Sequence, residues 1–447
     1  MFAIKNIAVS AMMAGAMVIL GLNSAQAALP IQHWTQANGV AVYLVESPSV
    51  PMVDVQVDFD AGSRRDPAAQ AGLASVTAGM TAKGVRAMGS EPALDENALG
   101  EAWADLGAVF SASASSDRMS FTLRSLTYPD LLARAVALAA RQLAEPTFPQ
   151  DVWLRERERL GASIREANTR PATVAARAFS QGVYGTHPYG YEMTEATLAR
   201  ISVADMQALQ ARAVRPCAAK VSIVGAVTRA QADALVTQLL ARLPEGGCTA
   251  LPAVGEVAAL TQASEQHIPF DSAQAHVLIG QPGYKRADPD FFPLLLGNYI
   301  LGGGGFVSRL TTEVREKRGL SYSVYSYFAP ALHAGAYTVG LQTRPDQAAQ
   351  AVQVAREVVR KFVAEGPTEA ELKAAKDNLI GGFALRIDSN RKLLDNVANI
   401  AWNKLPLDYL DTWTQQVARV TVADIKAAFA RKLQPERMVT VVVGGKP

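Results

Sequence analysis

The strongest constraint on the fold of this chain is that it is written twice. Near the end of the first half, Ser202-Val203-Ala204-Asp205-Met206 opens an amphipathic helix; Pro216 and the β-branched run Lys220-Val221-Ser222-Ile223-Val224-Gly225 follow. The same order returns as Thr421-Val422-Ala423-Asp424-Ile425, Pro435 and Thr440-Val441-Val442-Val443-Gly444. Val203 and Val422, Pro216 and Pro435, and Gly225 and Gly444 are each 219 residues apart. An earlier pair of helix starts, Pro149-Gln150-Asp151 and Pro367-Thr368-Glu369, repeats at 218. A period of this length means a duplicated domain, because a solenoid repeats every 20–50 residues. Ser202 and Thr421 are suitable N-caps, and Asp205 and Asp424 at the third position meet the positive helix end.

Within each half the patterns mix. Val53 to Phe59 and Phe121 to Leu126 alternate with period two, which predicts strands with one buried face. Tyr128 to Leu143 carries helical apolar spacing, and the start at Pro149 opens a helix running through Leu154. Strands in hairpin-like pairs among long helices predict an α+β fold of two homologous domains, each a mainly antiparallel sheet with helices packed on one face. The expected division is a leader over 1–27, a first domain over 28–243, a Pro/Gly-rich linker over 244–266 and a second domain over 267–447.

The leader rests on Lys5, the apolar run Ile7 to Leu22 and the small-x-small site Ala25-Gln26-Ala27, which predict cleavage after Ala27. Read instead as a retained anchor, the run is near the lower limit for spanning ~30 Å of hydrocarbon. No later stretch reaches ~18 uncharged apolar residues, so no stable anchor is expected after cleavage, and the leader implies export to the periplasm. The 43 basic and 41 acidic residues nearly cancel, and no basic stripe interleaved with aromatics stands out, so a nucleic-acid partner is not expected. The two cysteines, Cys217 and Cys248, are permitted a disulfide in an oxidising compartment, but their spacing does not decide whether they form one.

The segment Ala61-Gly62-Ser63-Arg64-Arg65-Asp66-Pro67, then Ala71-Gly72-Leu73-Ala74, resembles the M16 metallopeptidases, relatives of the mitochondrial processing peptidase. His187-Pro188-Tyr189-Gly190 and Arg315 to Val324 extend the resemblance over nearly the whole chain after the leader. In that family a helix starting G-L-A-H-x-x-E-H holds zinc. Two imidazoles one turn apart take the metal, and the glutamate activates its water. In register, those three positions here are Ser75, Ala78 and Gly79. The family's third ligand, a later glutamate, falls on Ser163, or near Glu156 if the loop after Gly84 is placed differently. Glu156 and Glu158 sit among Arg155, Arg157 and Arg159, which reads as a solvated, salt-bridged face. The five histidines, His33, His187, His267, His276 and His333, show no i, i+4 pair. His187, in a Pro/Gly/Tyr turn, reads as structural. No metal is therefore expected in this chain.

The resemblance also implies what is kept. An arginine and a tyrosine seven residues apart in the second domain contact substrate at a partner's zinc, and the matching positions are Arg315 and Tyr322, with Arg318 the second choice of arginine. A guanidinium and a phenol suit the oxyanion of a tetrahedral intermediate. Read without the family, the pair is a surface arginine and a core tyrosine. The run Gly302-Gly303-Gly304-Gly305-Phe306 is not a phosphate loop, because no G-K-[ST] follows; it is a substrate-handling loop or a helix terminator. Peptides are expected to bind as an added strand, read through their backbone. The implied function is a non-catalytic, substrate-binding subunit of a heterodimer with a chain bearing an intact H-x-x-E-H, zinc residing in that partner. The alternative is a stand-alone peptide-binding or scaffold protein.

Overall fold

The computed structural model describes residues 30–244, 246 and 251–445. The leader and Cys248 lie outside these residues; Cys217 is disulfide-bonded. In the first half the strands are β1 (Gln32–Thr35), β2 (Ala41–Glu46), β3 (Met52–Phe59), β4 (Gly84–Val85), β5 (Leu94–Asp95), β6 (Val109–Ala114), β7 (Met119–Leu126) and β8 (Lys220–Gly225). In the second they are β9 (Ser264–Ile268), β10 (Ala275–Pro282), β11 (Val324–Phe328), β12 (Ala336–Thr343) and β13 (Val439–Val443). The predicted strands at 53–59 and 121–126 are β3 and β7, and the predicted helix from 128 is Pro129–Ala144.

The fold class is as expected, α+β, and the duplication is one of topology. The first sheet runs β1-β2-β8-β3-β7-β6 and the second β11-β12-β10-β13-β9, while β4 and β5 form a separate ladder. In each sheet the last strand of the half lies parallel to one neighbour, β8 with β2 and β13 with β9. Each of these also pairs antiparallel with the long central strand, β3 or β10. The helices Val203–Ala213 and Val422–Lys432 both begin with a reciprocal capping box, Ser202 with Asp205 and Thr421 with Asp424. Such a cap satisfies two backbone donors that the first turn leaves open, for about 1 kcal/mol.

The helices Pro171–Tyr184 and Asn390–Asn403 start 219 residues apart, and each leaves its own half. Pro171–Tyr184 lies across β10 and β13 of the second sheet. There Ala175, Phe179 and Val183 pack with Val439, Val441 and Val443. Contact is close because a methyl group at Gly182 would stand 2.8 Å from Val439 Cγ1, and one at Gly280 2.8 Å from Phe179 Cζ. Reciprocally, Asn390–Asn403 lies across β8 and β3 of the first sheet. Lys220 Nζ donates to the carbonyls of Ala401 (3.2 Å) and Trp402 (3.1 Å) at that helix's C-terminal end, where a cation is favoured.

This exchange corrects one expectation. The alternation of β3 predicted one buried face, yet Asp54, Gln56 and Asp58 are buried as well. The reason is that the polar face is covered by the helix from the other half. The polar side chains are satisfied there: Arg124 pairs with Asp54 at 2.6 Å, and Arg118 with Asp58 at 2.9 Å. Burial raises the Asp58 pKa, against the lowering influence of Arg118 and Ser120.

Candidate functional site

The sequence places a metal-type helix in the first half, and the chain forms it as Leu73–Met80. Its N-cap is Gly72, at φ 104°, so the cap offers no side chain. The acceptor comes from six residues upstream instead. Asp66 receives the backbone N–H of Gly72 (2.9 Å) and of Ala74 (3.0 Å). Burial pushes this carboxyl up to about 6, although those backbone donors favour its charged form. Ser75 and Gly79 lie exposed on one edge of the helix, and Ala78 is buried in the core of the first half. Asp66 was not singled out from sequence. Its signal was the acidic residue and proline just ahead of a helix whose own cap is glycine.

These residues do not fit zinc. The three positions provide a hydroxyl, a methyl and a hydrogen where two imidazoles and a carboxylate are needed. Ser163 lies exposed on the helix Gln150–Ala167. Glu156, on the same helix, is held by Arg159 (2.8 Å) and Lys83 (3.3 Å). Burial works to raise its pKa, but the two cations together carry it below the usual value. Glu158 is an exposed partner of Arg165. Among the described residues no three His, Cys, Asp or Glu side chains gather into a metal-binding group. The imidazole of His187 is structural: Nδ1 accepts the Tyr189 N–H at 3.1 Å, and Nε2 lies 3.0 Å from the Gly255 carbonyl.

The second half brings together the candidate residues Phe306, Arg315 and Tyr322. The chain around the glycine run is interrupted by two short segments of wide helix, Tyr299–Gly303 and Thr311–Glu316, with i→i+5 hydrogen bonds such as Gly304 N–H to Tyr299 O at 2.7 Å and Lys317 N–H to Thr312 O at 3.0 Å. Such turns are rare and concentrate at functional sites. Two of the four glycines have plain steric reasons. A side chain at Gly302 would meet Ser326 of β11 at 2.3 Å, and Gly305 has φ +63°. Gly303 and Gly304 also approach the preceding turn, at Asn298 and Tyr299. Downstream, Arg309 ties the loop to Glu371 through two 2.7 Å hydrogen bonds, which hold that carboxyl at about 2.

Between these anchors Phe306 is 70% exposed and Tyr322 82% exposed. The Arg315 guanidinium lies between them, 4.7 Å from the Phe306 ring centre and 4.8 Å from that of Tyr322. The plain-sequence reading of Tyr322 as a core residue is therefore wrong. Phe306, chosen from sequence only as the end of the glycine run, is the second aromatic plate of the arginine. No carboxylate pairs with Arg315 among the described residues, whereas Arg318 is engaged by Glu313 at 2.7 Å. The result is a fixed, half-buried cation beside an exposed phenol, a pair able to donate hydrogen bonds to a carbonyl oxygen or an oxyanion.

Comparison with known proteins covers both halves. Residues 41–197 match the family model described as Insulinase (Peptidase family M16), and residues 200–379 the one described as Peptidase M16 inactive domain. An uncharacterized zinc protease of Mycobacterium leprae is 27% identical over 92% of this chain and 91% of its own. A non-peptidase homolog of Helicobacter pylori is 24% identical over 96% of each chain. The crystal structure of a peptidase M16 inactive domain from Pseudomonas fluorescens superposes with a TM-score of 0.88 at 34% identity, covering 94% of this chain and 98% of that one. No helix of the described residues is long and apolar enough to cross a membrane.

Proposed function

The chain belongs to the M16 peptidase family, and on that premise we propose that it is the non-catalytic, substrate-binding subunit of a two-chain zinc peptidase. The observation that carries the reading is a contrast within one molecule. The metal helix carries neither the imidazoles nor the carboxylate that zinc chemistry needs, while Arg315 is held between Phe306 and Tyr322 at a surface where neither ring is needed for the core. An aromatic as exposed as Tyr322 gains little from burial, so its presence is better explained by contact with another molecule.

In this reading the partner chain carries H-x-x-E-H and the zinc, and the work of this chain is electrostatic. The Arg315 guanidinium grips a peptide carbonyl in the bound substrate. The Tyr322 phenol donates to the oxygen that gains negative charge as the carbonyl becomes tetrahedral. The stacking on Phe306 limits the rotation of Arg315, so less entropy is lost when it engages substrate. The glycine-rich loop from Gly302 to Phe306 borders the same peptide. The leader residues support export, which would place the pair in the periplasm.

The test is to purify the chain after leader removal, analyse its metal content, and mix it with an H-x-x-E-H homologue from the same cell. We expect no stoichiometric zinc in this chain, a complex on sizing, and a strong rise in peptide hydrolysis on mixing. A full equivalent of zinc would overturn the assignment. No complex and no rise in hydrolysis would favour a stand-alone peptide-binding or scaffold protein.

A further inference from the structure

Beside the Phe306–Arg315–Tyr322 cluster, a cleft of about 790 Å³ opens between β11, the helix Phe291–Asn298 that precedes it and the helices that follow it in the second half. Two of its lining residues are arginines, and none is an aspartate or glutamate. Arg286 is only 9% exposed. Its guanidinium lies 3.9 Å from the Phe291 ring centre and donates to the Tyr409 hydroxyl at 2.8 Å. That hydroxyl is its single hydrogen-bond partner among the described side chains, and it has no ion pair there. Buried charges are normally paired, because an uncompensated one is costly to remove from water. Acidic residues are close in sequence, but they serve other cations: Asp288 is bound by Lys432, and Asp290 by Arg431 at 2.7 Å.

Arg386 enters from the other wall. Its guanidinium lies 5.3 Å from the Trp413 ring centre, and it too lacks an ion pair among the described residues. Tyr409 and Trp413 lie one turn apart on the helix Tyr409–Arg419, so the two arginines that contact them meet the same stretch of the cleft wall. Asn399 lines the cleft as well, and its side-chain oxygen is already occupied by Asn403 at 2.8 Å. The amide nitrogen of Asn399 is thus left as a further donor. Around these donors the walls are aromatic: Phe291, Tyr325, Tyr327 and Trp413. Tyr325 and Tyr327 stack on each other, with ring centres 6.0 Å apart. The Ser326 carbonyl of the edge strand β11 accepts from Asn298 Nδ2 at 3.1 Å, so that acceptor is not open to a bound peptide.

We propose that this cleft is a binding site for a carboxylate carried on an apolar or aromatic group, as found at the C-terminus of a peptide. Arg286 and Arg386 take the carboxylate from two sides, since a guanidinium matches its two oxygens with parallel N–H donors. Asn399 adds a third donor, and the aromatic walls take the adjoining side chain. Gly302, Gly303 and Gly305 border the cleft; the first two pack tightly on Ser326 and Asn298, and open space surrounds Gly305. Every group is supplied by this chain, so the site requires neither a partner subunit nor a metal.

The experiment is calorimetric titration of the purified chain with three probes: acetyl-Gly-Ala-Val-Phe with a free C-terminal carboxylate, the same peptide as its amide, and acetyl-Gly-Ala-Glu-Phe-amide. The free acid is expected to bind about tenfold or more tightly than its amide. Binding of the glutamate peptide at similar strength would show that a side-chain carboxylate serves as well as a terminus. Arg386→Gln, at an exposed position, is expected to weaken binding of the acid several-fold with an unchanged melting temperature. Arg286→Lys, which keeps the charge and removes the fork, is expected to weaken it further. Equal affinity for acid and amide, no saturable binding of any probe, or undiminished binding by Arg386→Gln would each overturn the proposal.

Discussion

Replacing Tyr322 by phenylalanine separates a tyrosine kept for folding from one kept for contact. The ring is 82% exposed, and its hydroxyl has no hydrogen-bond partner among the described residues. Removing the hydroxyl is therefore expected to change folding free energy by less than about 0.5 kcal/mol. Arg315→Gln removes a guanidinium from two aromatic faces at 4.7 and 4.8 Å. Each such contact at an exposed site is worth about 0.5–1 kcal/mol, so the loss is about 1–2 kcal/mol. For a chain of 447 residues, an unfolding entropy of about 2.1 cal/mol/K per residue converts that loss into a melting shift of about 1–2 °C. The cost to catalysis lies on another scale. Loss of one preformed donor to an oxyanion typically lowers kcat about 10²–10³-fold, or about 3–4 kcal/mol. The assay pairs calorimetry of the chain alone with peptide turnover in its mixture with the H-x-x-E-H homologue. We expect nearly unchanged melting and a fall in kcat of about a hundredfold for Tyr322→Phe. Turnover within about twofold of the unaltered mixture would refute the role of the phenol, and a melting loss above about 5 °C would return Tyr322 to a structural role.

Other outcomes follow from the same structure. Gly182→Val drives methyl groups into Val439 and is expected to cost about 1–3 kcal/mol, lifting the exchanged helix from the second sheet; melting and limited proteolysis check it, and unchanged values would mean that the contact is not tight. Asp66 has its pKa raised from 3.8 to about 6, so the stability from its proton is full below the lower value and is lost as pH rises through the upper one. Relative to Asp66→Asn, denaturant melts should show the wild type losing up to about 3 kcal/mol between acid and neutral pH, and parallel pH profiles would show that the burial effect is absent. Ser75→His with Gly79→His puts two imidazoles one turn apart on the exposed helix edge, where Gly79 has open space around it. Titration calorimetry should show one zinc site gained. Adding Ser163→Glu should tighten that site, and no tightening would point to Glu156 as the position of the third ligand.

Much of this was legible before any coordinates. The 219-residue spacing fixes two copies of one unit, and period-two alternation places β3 and β7. Ser202 with Asp205, and Thr421 with Asp424, start helices where a cap and an acidic third residue say they should. The loss of donors at Ser75, Ala78 and Gly79 is a statement about side-chain chemistry that needs no structure. Such signals are local: caps act over one turn, and periodicity reports which face of an element is apolar. They do not say what covers the other face. Only the tertiary structure showed that Asn390–Asn403 buries the polar side of β3 and that Pro171–Tyr184 does the reciprocal service for β10 and β13. Only it showed Arg315 held between Phe306 and Tyr322, and Arg286 and Arg386 left without anions around one cleft. These facts depend on where residues far apart in the chain come together, and on which charges remain unpaired once neighbours such as Asp288 and Asp290 have chosen other partners.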